Sequence, residues 1–362
     1  MGIRSIIAET RMVVAGYMKS IRQEKPSQTR DPIDFVVTWV DGNDPAWQAE
    51  RARCLGIEEV NATGNGVCRY RDWSSFRYWF RAVEKYAPWV RYVHLVTWGH
   101  VPQWLEPECP KLKIVRHEDY IPQEYLPTFN CQPLELNLFR IPGLSEHFVY
   151  FNDDVLLARP VTPEDFFVNG KPKHTAIAYP YVNRDNEIPT YLFFNKYGLA
   201  NKKNGIQSCI EKHPEKWFSY RYGRMWRHNL DAWRNAGLPS MYFTHMGAPF
   251  CRSAMERTWK KYEAECIQSC LCKVREIHQI THQIYSIEDI LNGNFEPEKP
   301  DWGTCVMIDD IQGIAQAYWS GQGKMICLFD RDNLTATEVI ETDKKLTELF
   351  EGLFPDKSSF EK

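Results

Sequence analysis

No stretch of this 362-residue chain approaches the roughly 20 consecutive apolar residues that span a bilayer, and the N-terminus lacks the apolar core and cleavage site of a secretory signal. The expectation is a soluble or peripheral protein. An excess of one charge is also missing: 44 Lys and Arg stand against 47 Asp and Glu, for a net charge of -3. Without a broad basic surface, no nucleic-acid partner is expected. The cysteines, at 54, 68, 109, 131, 209, 251, 266, 270, 272, 305 and 327, lack the dense spacing of a disulfide scaffold, which fits a reducing cytoplasm. Cys266, Cys270 and Cys272 have no paired second half at zinc-site spacing and read as helix packing. There is no internal repeat and no low-complexity tract. "MGIRSI" has Ile6 where the myristoylation pattern needs Ser or Thr.

What is present is a globular composition, 43% hydrophobic and 14% aromatic, in a chain long enough for one large domain with insertions or for two domains. In residues 1–30, Ile3, Ile6, Ile7, Val13, Val14, Tyr17, Met18 and Ile21 recur at helical spacing, with Arg4, Arg11, Lys19 and Arg22 mostly elsewhere around the wheel. That segment suits either a membrane surface, through residues 1–25, or packing on its own domain. From 31 to about 170 the pattern alternates. "IDFVVTWV" (33–40), "RYVHLVTW" (91–98), "LKIV" (112–115) and "HFVYF" (147–151) read as strands, while "SSFRYWFRAVEKY" (74–86) and "PLELNLFRI" (133–141) read as helices. Such alternation predicts an α/β core with a mostly parallel, helix-covered sheet. Residues 171–300 read as a mainly helical lobe, with one long helical pattern from 252 to 293. Residues 301–362 add a strand, "ICLFD" (326–330), and a helical tail.

In "HFVYFNDDVLLARP" (147–160) a strand runs straight into Asn152, Asp153 and Asp154, and "IDFVVTWV" likewise ends in "DGNDP", with Asp41 and Asp44. Asn, Asp and Gly are ordinary turn residues. Ligands of open α/β sheets nevertheless bind outside the carboxyl ends of the strands, so two acidic strand ends also suit one shared cleft.

"IDFVVTWVDGNDPAW", "RYRDWSSFRYWFRAVEKYAPWVRYVHLVTWGHVPQWL" and "YIPQEYLPTFNCQPLELNLFRIPGLSEHFVYFNDD" resemble the first two conserved regions of the Stealth family. "KWFSYRYG", "THMGAPF" and "CKVREIHQITHQIY" resemble the third region more loosely, and "KMICLFD" and "FPDKSSFE" the fourth. The resemblance implies a Rossmann-like fold and a sugar-1-phosphate transferase of capsular or exopolysaccharide synthesis, related to the animal N-acetylglucosamine-1-phosphotransferase. In the implied reaction an acceptor hydroxyl attacks the sugar-bearing phosphorus of a UDP- or CMP-linked sugar, and the nucleoside monophosphate leaves. The acceptor is a glycan or lipid-linked oligosaccharide. The expected place is the cytoplasm, with the 1–25 segment a candidate for contact with the inner face of the membrane.

Such chemistry needs positioning and charge neutralisation. On the resemblance, Asp153 and Asp154 are expected to hold Mg2+ or Mn2+. Asp41, Asp44, His245 and Arg275 are expected in catalysis, as general base or as stabiliser of the transferred phosphoryl group. Arg71, Asp72, Asn130, Glu135, Arg140, Asn152 and Asp330 are assigned to substrate, with Asn137 structural. For Arg71 and Asp72 a surface ion pair stands as the alternative, and for His245 a structural histidine. Asn130, Cys131, Gln132, Phe139 and Phe329 depart from the residues usual in the family. Two other readings stay open: a metal-dependent glycosyltransferase that releases the nucleoside diphosphate, and a carbohydrate-binding protein without chemistry.

Overall fold

A computed structural model describes residues 3–22, 31–55, 66–181 and 188–362, the side chains of 3–6 excepted. Most of the polar stretch 24–32 therefore lies outside the described residues, as do the side chains of Ile3, Arg4 and Ile6. Helix α1 (Ile3–Ile21) precedes strand β1 (Ile33–Thr38), helix α2 (Pro45–Leu55), helix α3 (Phe76–Tyr86) and strands β2 (Val93–Thr97) and β3 (Leu112–Arg116). Next come α4 (Cys131–Leu136), β4 (His147–Asn152), β5 (Val155–Leu157), α5 (Pro163–Phe166), β6 (Phe167–Val168) and β7 (Lys171–His174). The chain is then mainly helical, with α6 (Ile188–Lys203), α7 (Ile206–Lys212), α8 (Pro214–Trp217) and α9 (Arg227–Arg234), one strand, β8 (Ala248–Cys251), and α10 (Arg252–Lys261), α11 (Glu263–Leu271) and α12 (Gln283–Leu291). It closes with β9 (Glu296–Pro297), β10 (Gly303–Met307), α13 (Ile311–Ser320), β11 (Met325–Phe329) and α14 (Ala336–Leu353).

The central sheet has the order β3-β2-β1-β4-β8. Its first four strands are parallel and β8 is antiparallel to β4, which makes a mixed α/β, Rossmann-like sheet. Along β1, Phe35 and Val37 enter one core and Val36 the other; along β4, Val149 and Phe151 enter the first, Phe148 and Tyr150 the second. Burial on both faces is why these strands are written as unbroken apolar runs. The first core holds α3 and the chain's last part, with Tyr78 of α3 against Phe350 of α14 at 5.5 Å. The second core is filled by the helices between α6 and α12. Beside the central sheet, β10, β11 and β5 form a second, three-stranded sheet, in which β11 runs antiparallel to β5.

Two of the expected helices are broken. The run 133–141 splits at Asn137, whose side chain donates to the Pro133 carbonyl at 2.8 Å, and Leu138–Arg140 continue as a 3-10 turn. Glu135 and Arg140 therefore share no helix face. The pattern from 252 to 293 breaks at Tyr262, stops at Leu271 and resumes at Gln283, leaving 272–282 as a loop. That loop is fastened to segment 125–130. Phe129 N donates to Lys273 O at 2.9 Å, and Lys273 Nζ donates to the Tyr125 and Leu126 carbonyls at 3.1 Å each. Of the three clustered cysteines, Cys266 and Cys270 are buried on α11, while Cys272 ends it, its Sγ 3.3 Å from His278 Nε2.

Candidate active site

Strand β4 delivers Asn152, Asp153 and Asp154 to the carboxyl edge of the central sheet, and β5 leaves directly from them. Because β8 is antiparallel to β4, the residues just before it arrive at the same edge. Gly247 makes this possible: its backbone lies against the Phe151 ring, where a side chain would overlap. His245 thereby meets Asn152, Nδ2 to Nε2 2.8 Å, and Asp154, Oδ1 to Nε2 3.7 Å. An Asn152 amide set to donate makes Nε2 an acceptor; a protonated Nε2 instead faces Asp154 and needs the amide turned about. Burial works to lower His245, but the Asp154 carboxylate, with Glu135 and Cys305 farther off, raises it above the ordinary imidazole value.

The acids of this edge are crowded and short of donors. Desolvation, then the charges of Asp154 and Asp72, push Asp153 well above the usual carboxylate range. Asp154 Oδ1 is buried without a hydrogen-bond partner. An unpartnered buried carboxylate oxygen beside a second, destabilised carboxyl is an arrangement that a divalent cation relieves, and the oxygen donors suit magnesium or manganese. The residues present therefore fit such an ion. Asp154, His245 and Cys327 also bring an oxygen, a nitrogen and a sulfur within 4.8 Å of one another. A hydrogen bond with Cys305, and burial, push the Cys327 thiol up from its ordinary value.

A second group lies behind the first. Tyr150 OH donates to Glu135 Oε1 at 3.2 Å and pairs with Thr38 Oγ1 at 3.0 Å, while His282 Nδ1 lies 2.6 Å from Glu135 Oε2. Burial opposes ionisation of Glu135, but His282 and then Arg275 hold it below its ordinary value. Arg275, on the 272–282 loop, donates to Cys131 Sγ at 3.3 Å. Glu135 thus lies in the field of both Arg275 and His245.

The other sequence candidates divide. Asp72 accepts from Trp39 Nε1 at 2.8 Å and adds its charge to the Asp153 edge. Arg71 NH1 donates to both oxygens of Asp330 at 2.7 Å, and Trp73 Nε1 adds a bond at 3.0 Å. The alternative of a surface ion pair between Arg71 and Asp72 is not what forms: Arg71 pairs with Asp330 instead, in a largely buried link between the segment before α3 and the end of β11. The backbone bond from Leu328 N to Asp154 O, 2.9 Å, sets that strand end beside the acids.

The acids after β1 serve a turn. Asp41 Oδ1 accepts from Asn43 N and Asp44 Oδ1 from Trp47 N, each at 2.8 Å, so that Asp44 caps α2. His100 Nε2 accepts from Asp41 N at 2.9 Å, and Gly42, in contact with Tyr70, leaves room for the 66–71 segment.

Asn130, assigned to substrate from sequence, is 3% exposed and spent within the protein. Its oxygen caps α4 through Gln132 N at 3.1 Å, and its amide donates to Cys272 O and Val274 O at 3.2 and 2.8 Å. It fixes the loop that carries Arg275. Arg140 bonds Asn137 Oδ1 at 3.0 Å and lies over Phe139 and Trp259, a few residues before the amino end of β4 and so away from the acidic edge. Asn137 is structural, as expected. Sequence reasoning missed His282, Tyr150, Thr38 and Cys327. For His282 the nearest signal was its place in "THQIY", in the same stretch as Arg275.

In comparison with known proteins, residues 31–59 match Stealth protein conserved region 1 and residues 69–175 match conserved region 2. The capsular polysaccharide phosphotransferase WcwK of Streptococcus pneumoniae is 38% identical over 334 residues, which cover 91% of this chain and 99% of the relative. The receptor polysaccharide phosphotransferase WefC of Streptococcus oralis is 35% identical over 350 residues, 91% of this chain and 99% of the relative. The exopolysaccharide phosphotransferase cps2G of Lactiplantibacillus plantarum is 35% identical over 336 residues, 91% and 96%.

Proposed function

Because the chain belongs to the Stealth family of polysaccharide phosphotransferases, we propose that it transfers a sugar-1-phosphate from a UDP- or CMP-linked sugar to a hydroxyl of a growing capsular or exopolysaccharide glycan. The observation that carries this reading is the pair Asp153 and Asp154 at the carboxyl edge, with His245 against Asp154. Asp153 and Asp154 would hold magnesium or manganese, which supplies charge neutralisation for the donor diphosphate. Neutral His245 takes the proton of the acceptor hydroxyl at Nε2, and Asp154 steadies the imidazolium that forms. The acceptor oxygen bonds to the sugar-bearing phosphorus while the bond to the bridging oxygen breaks, releasing the nucleoside monophosphate. Arg275, oriented by the loop that Asn130 secures, balances charge on the transferred group. Asp72 and Asn152 line the donor side, and the Arg71–Asp330 pair keeps the end of β11 in place. The compartment is the cytoplasm, which suits eleven cysteines that are all free.

Phosphorus NMR of enzyme, nucleotide sugar and acceptor glycan tests this. A phosphodiester signal should grow in step with UMP or CMP. UDP as the direct product, with no phosphodiester in the glycan, would replace the reading with glycosyl transfer.

A further inference from the structure

Helix α1 docks on the helical region by one side only. Gly16 lies against Pro214, Tyr17 against Trp226 at 6.5 Å between ring centroids, and Met12 and Val13 reach the second core. Ser20 Oγ accepts from Tyr220 N at 3.2 Å. Glu9 is the single acid between Ile3 and Ile21, and it is turned to this inner side. Arg234 holds both its oxygens, at 2.6 and 3.1 Å, and Glu9 is 7% exposed.

The outer side is the reverse of what a water-facing helix presents. Ile7, Val14, Met18 and Ile21 are 46, 54, 43 and 53% exposed. With exposed Arg11 they fall within an arc of about 80°, at about 100° per residue. Arg22 flanks the stripe, exposed, while Lys19, also exposed, lies farther round the helix and pairs with Glu215 at 3.4 Å. Where α1 ends, the Tyr220–Trp226 segment adds exposed Tyr220 and Arg224, and α9 adds exposed Arg227. With the helix's one acid tucked away, this face offers apolar and cationic side chains and no carboxylate of its own. A second copy of the chain is a poor occupant, since stripe against stripe would bring the same unbalanced cations together. The complementary surface is apolar below and anionic above.

We propose that the outer face of α1 seats the protein on an anionic lipid surface, with Ile7, Val14, Met18 and Ile21 entering the acyl boundary and Arg11, Arg22 and Arg224 meeting headgroup phosphates. The proposal is independent of the bond that the enzyme makes. Its test is flotation of the full-length protein with vesicles of phosphatidylcholine, with and without phosphatidylglycerol. The protein should bind the phosphatidylglycerol vesicles and release as salt rises. Val14→Glu combined with Met18→Glu should weaken binding by about tenfold or more, leaving the melting temperature and turnover of soluble substrates unchanged. Failure to bind, equal binding to neutral vesicles, or binding that the double variant retains would overturn it. So would a dimer in light scattering that the double variant dissociates, because the occupant would then be a second copy.

Discussion

At the amino edge of the parallel sheet Asp34 is fully buried and ringed by donors; at the carboxyl edge Asp153 and Asp154 crowd each other, with His245 lying 3.7 Å from Asp154. Arg91 donates to both Asp34 oxygens at 2.8 and 2.6 Å, His94 lies at 3.1 Å and Ser145 N donates at 2.9 Å. Burial alone would raise Asp34, yet Arg91, His94 and Ser145 hold it far below the usual carboxylate range. Asp153 is pushed the opposite way by desolvation and by other acids. One sheet thus keeps an acid that stabilises the fold and a pair in which Asp153 is destabilised by its acidic neighbours. Strain of the second kind persists where a ligand is expected to relieve it.

The largest effect that sharpens this contrast is on turnover. Asp153→Asn and Asp154→Asn should each lower kcat/KM by at least about a hundredfold, with melting temperatures at or above that of the parent protein. Magnesium should raise the parent's melting temperature and not that of either variant; equal shifts in all three would remove the metal assignment. Next is Asp34→Ala, which strands Arg91 and His94 and should cost roughly 3 kcal/mol in denaturant unfolding. Turnover per folded molecule should hold, and a catalytic loss without a stability loss would break the comparison.

A smaller effect follows from the sign of the Asp34 shift. Its folded pKa is depressed, so its contribution is fully present above the unfolded value near about 4 and is lost as pH falls through the folded value. Stability of the parent should therefore decline below about pH 4 more steeply than that of Asp34→Ala. The smallest change is expected for Asp44→Ala, which removes a helix cap: about 1 kcal/mol of stability and less than tenfold in turnover. A collapse of activity there would return the β1 acids to the chemistry.

That last variant bears on how far the sequence could be read. The sheet was legible because parallel strands buried on both faces leave apolar runs such as "FVV" and "FVYF". The two acidic strand ends were not separable, since "DGND" after β1 and "NDD" after β4 each hold one Asn and two Asp, residues that suit a turn as well as a site. What distinguishes them is which way nearby backbone N–H groups point: Asn43 and Trp47 answer Asp41 and Asp44, while Asp154 Oδ1 receives no hydrogen bond and has only the His245 ring at 3.7 Å. Asn130 misled for a related reason. A buried amide that ties two distant carbonyls, at Cys272 and Val274, looks in sequence like any polar residue near a site. His282 reaches Glu135 across 147 positions, a distance that neither periodicity nor motif spacing spans.

Strand β11 reaches the acidic edge only after most of the chain has been made, and it brings Asp330 for Arg71, the Leu328 bond to Asp154 and the Phe329 ring stacked on His245 at 5.9 Å. In genetic terms, a nonsense or frameshift lesion between codons 155 and 325 leaves the β4 acids translated and their site unbuilt. A lesion near the end of the gene should therefore score as a complete loss of function, and no amino-terminal fragment, however long, should complement a null strain until Phe329 and Asp330 are included.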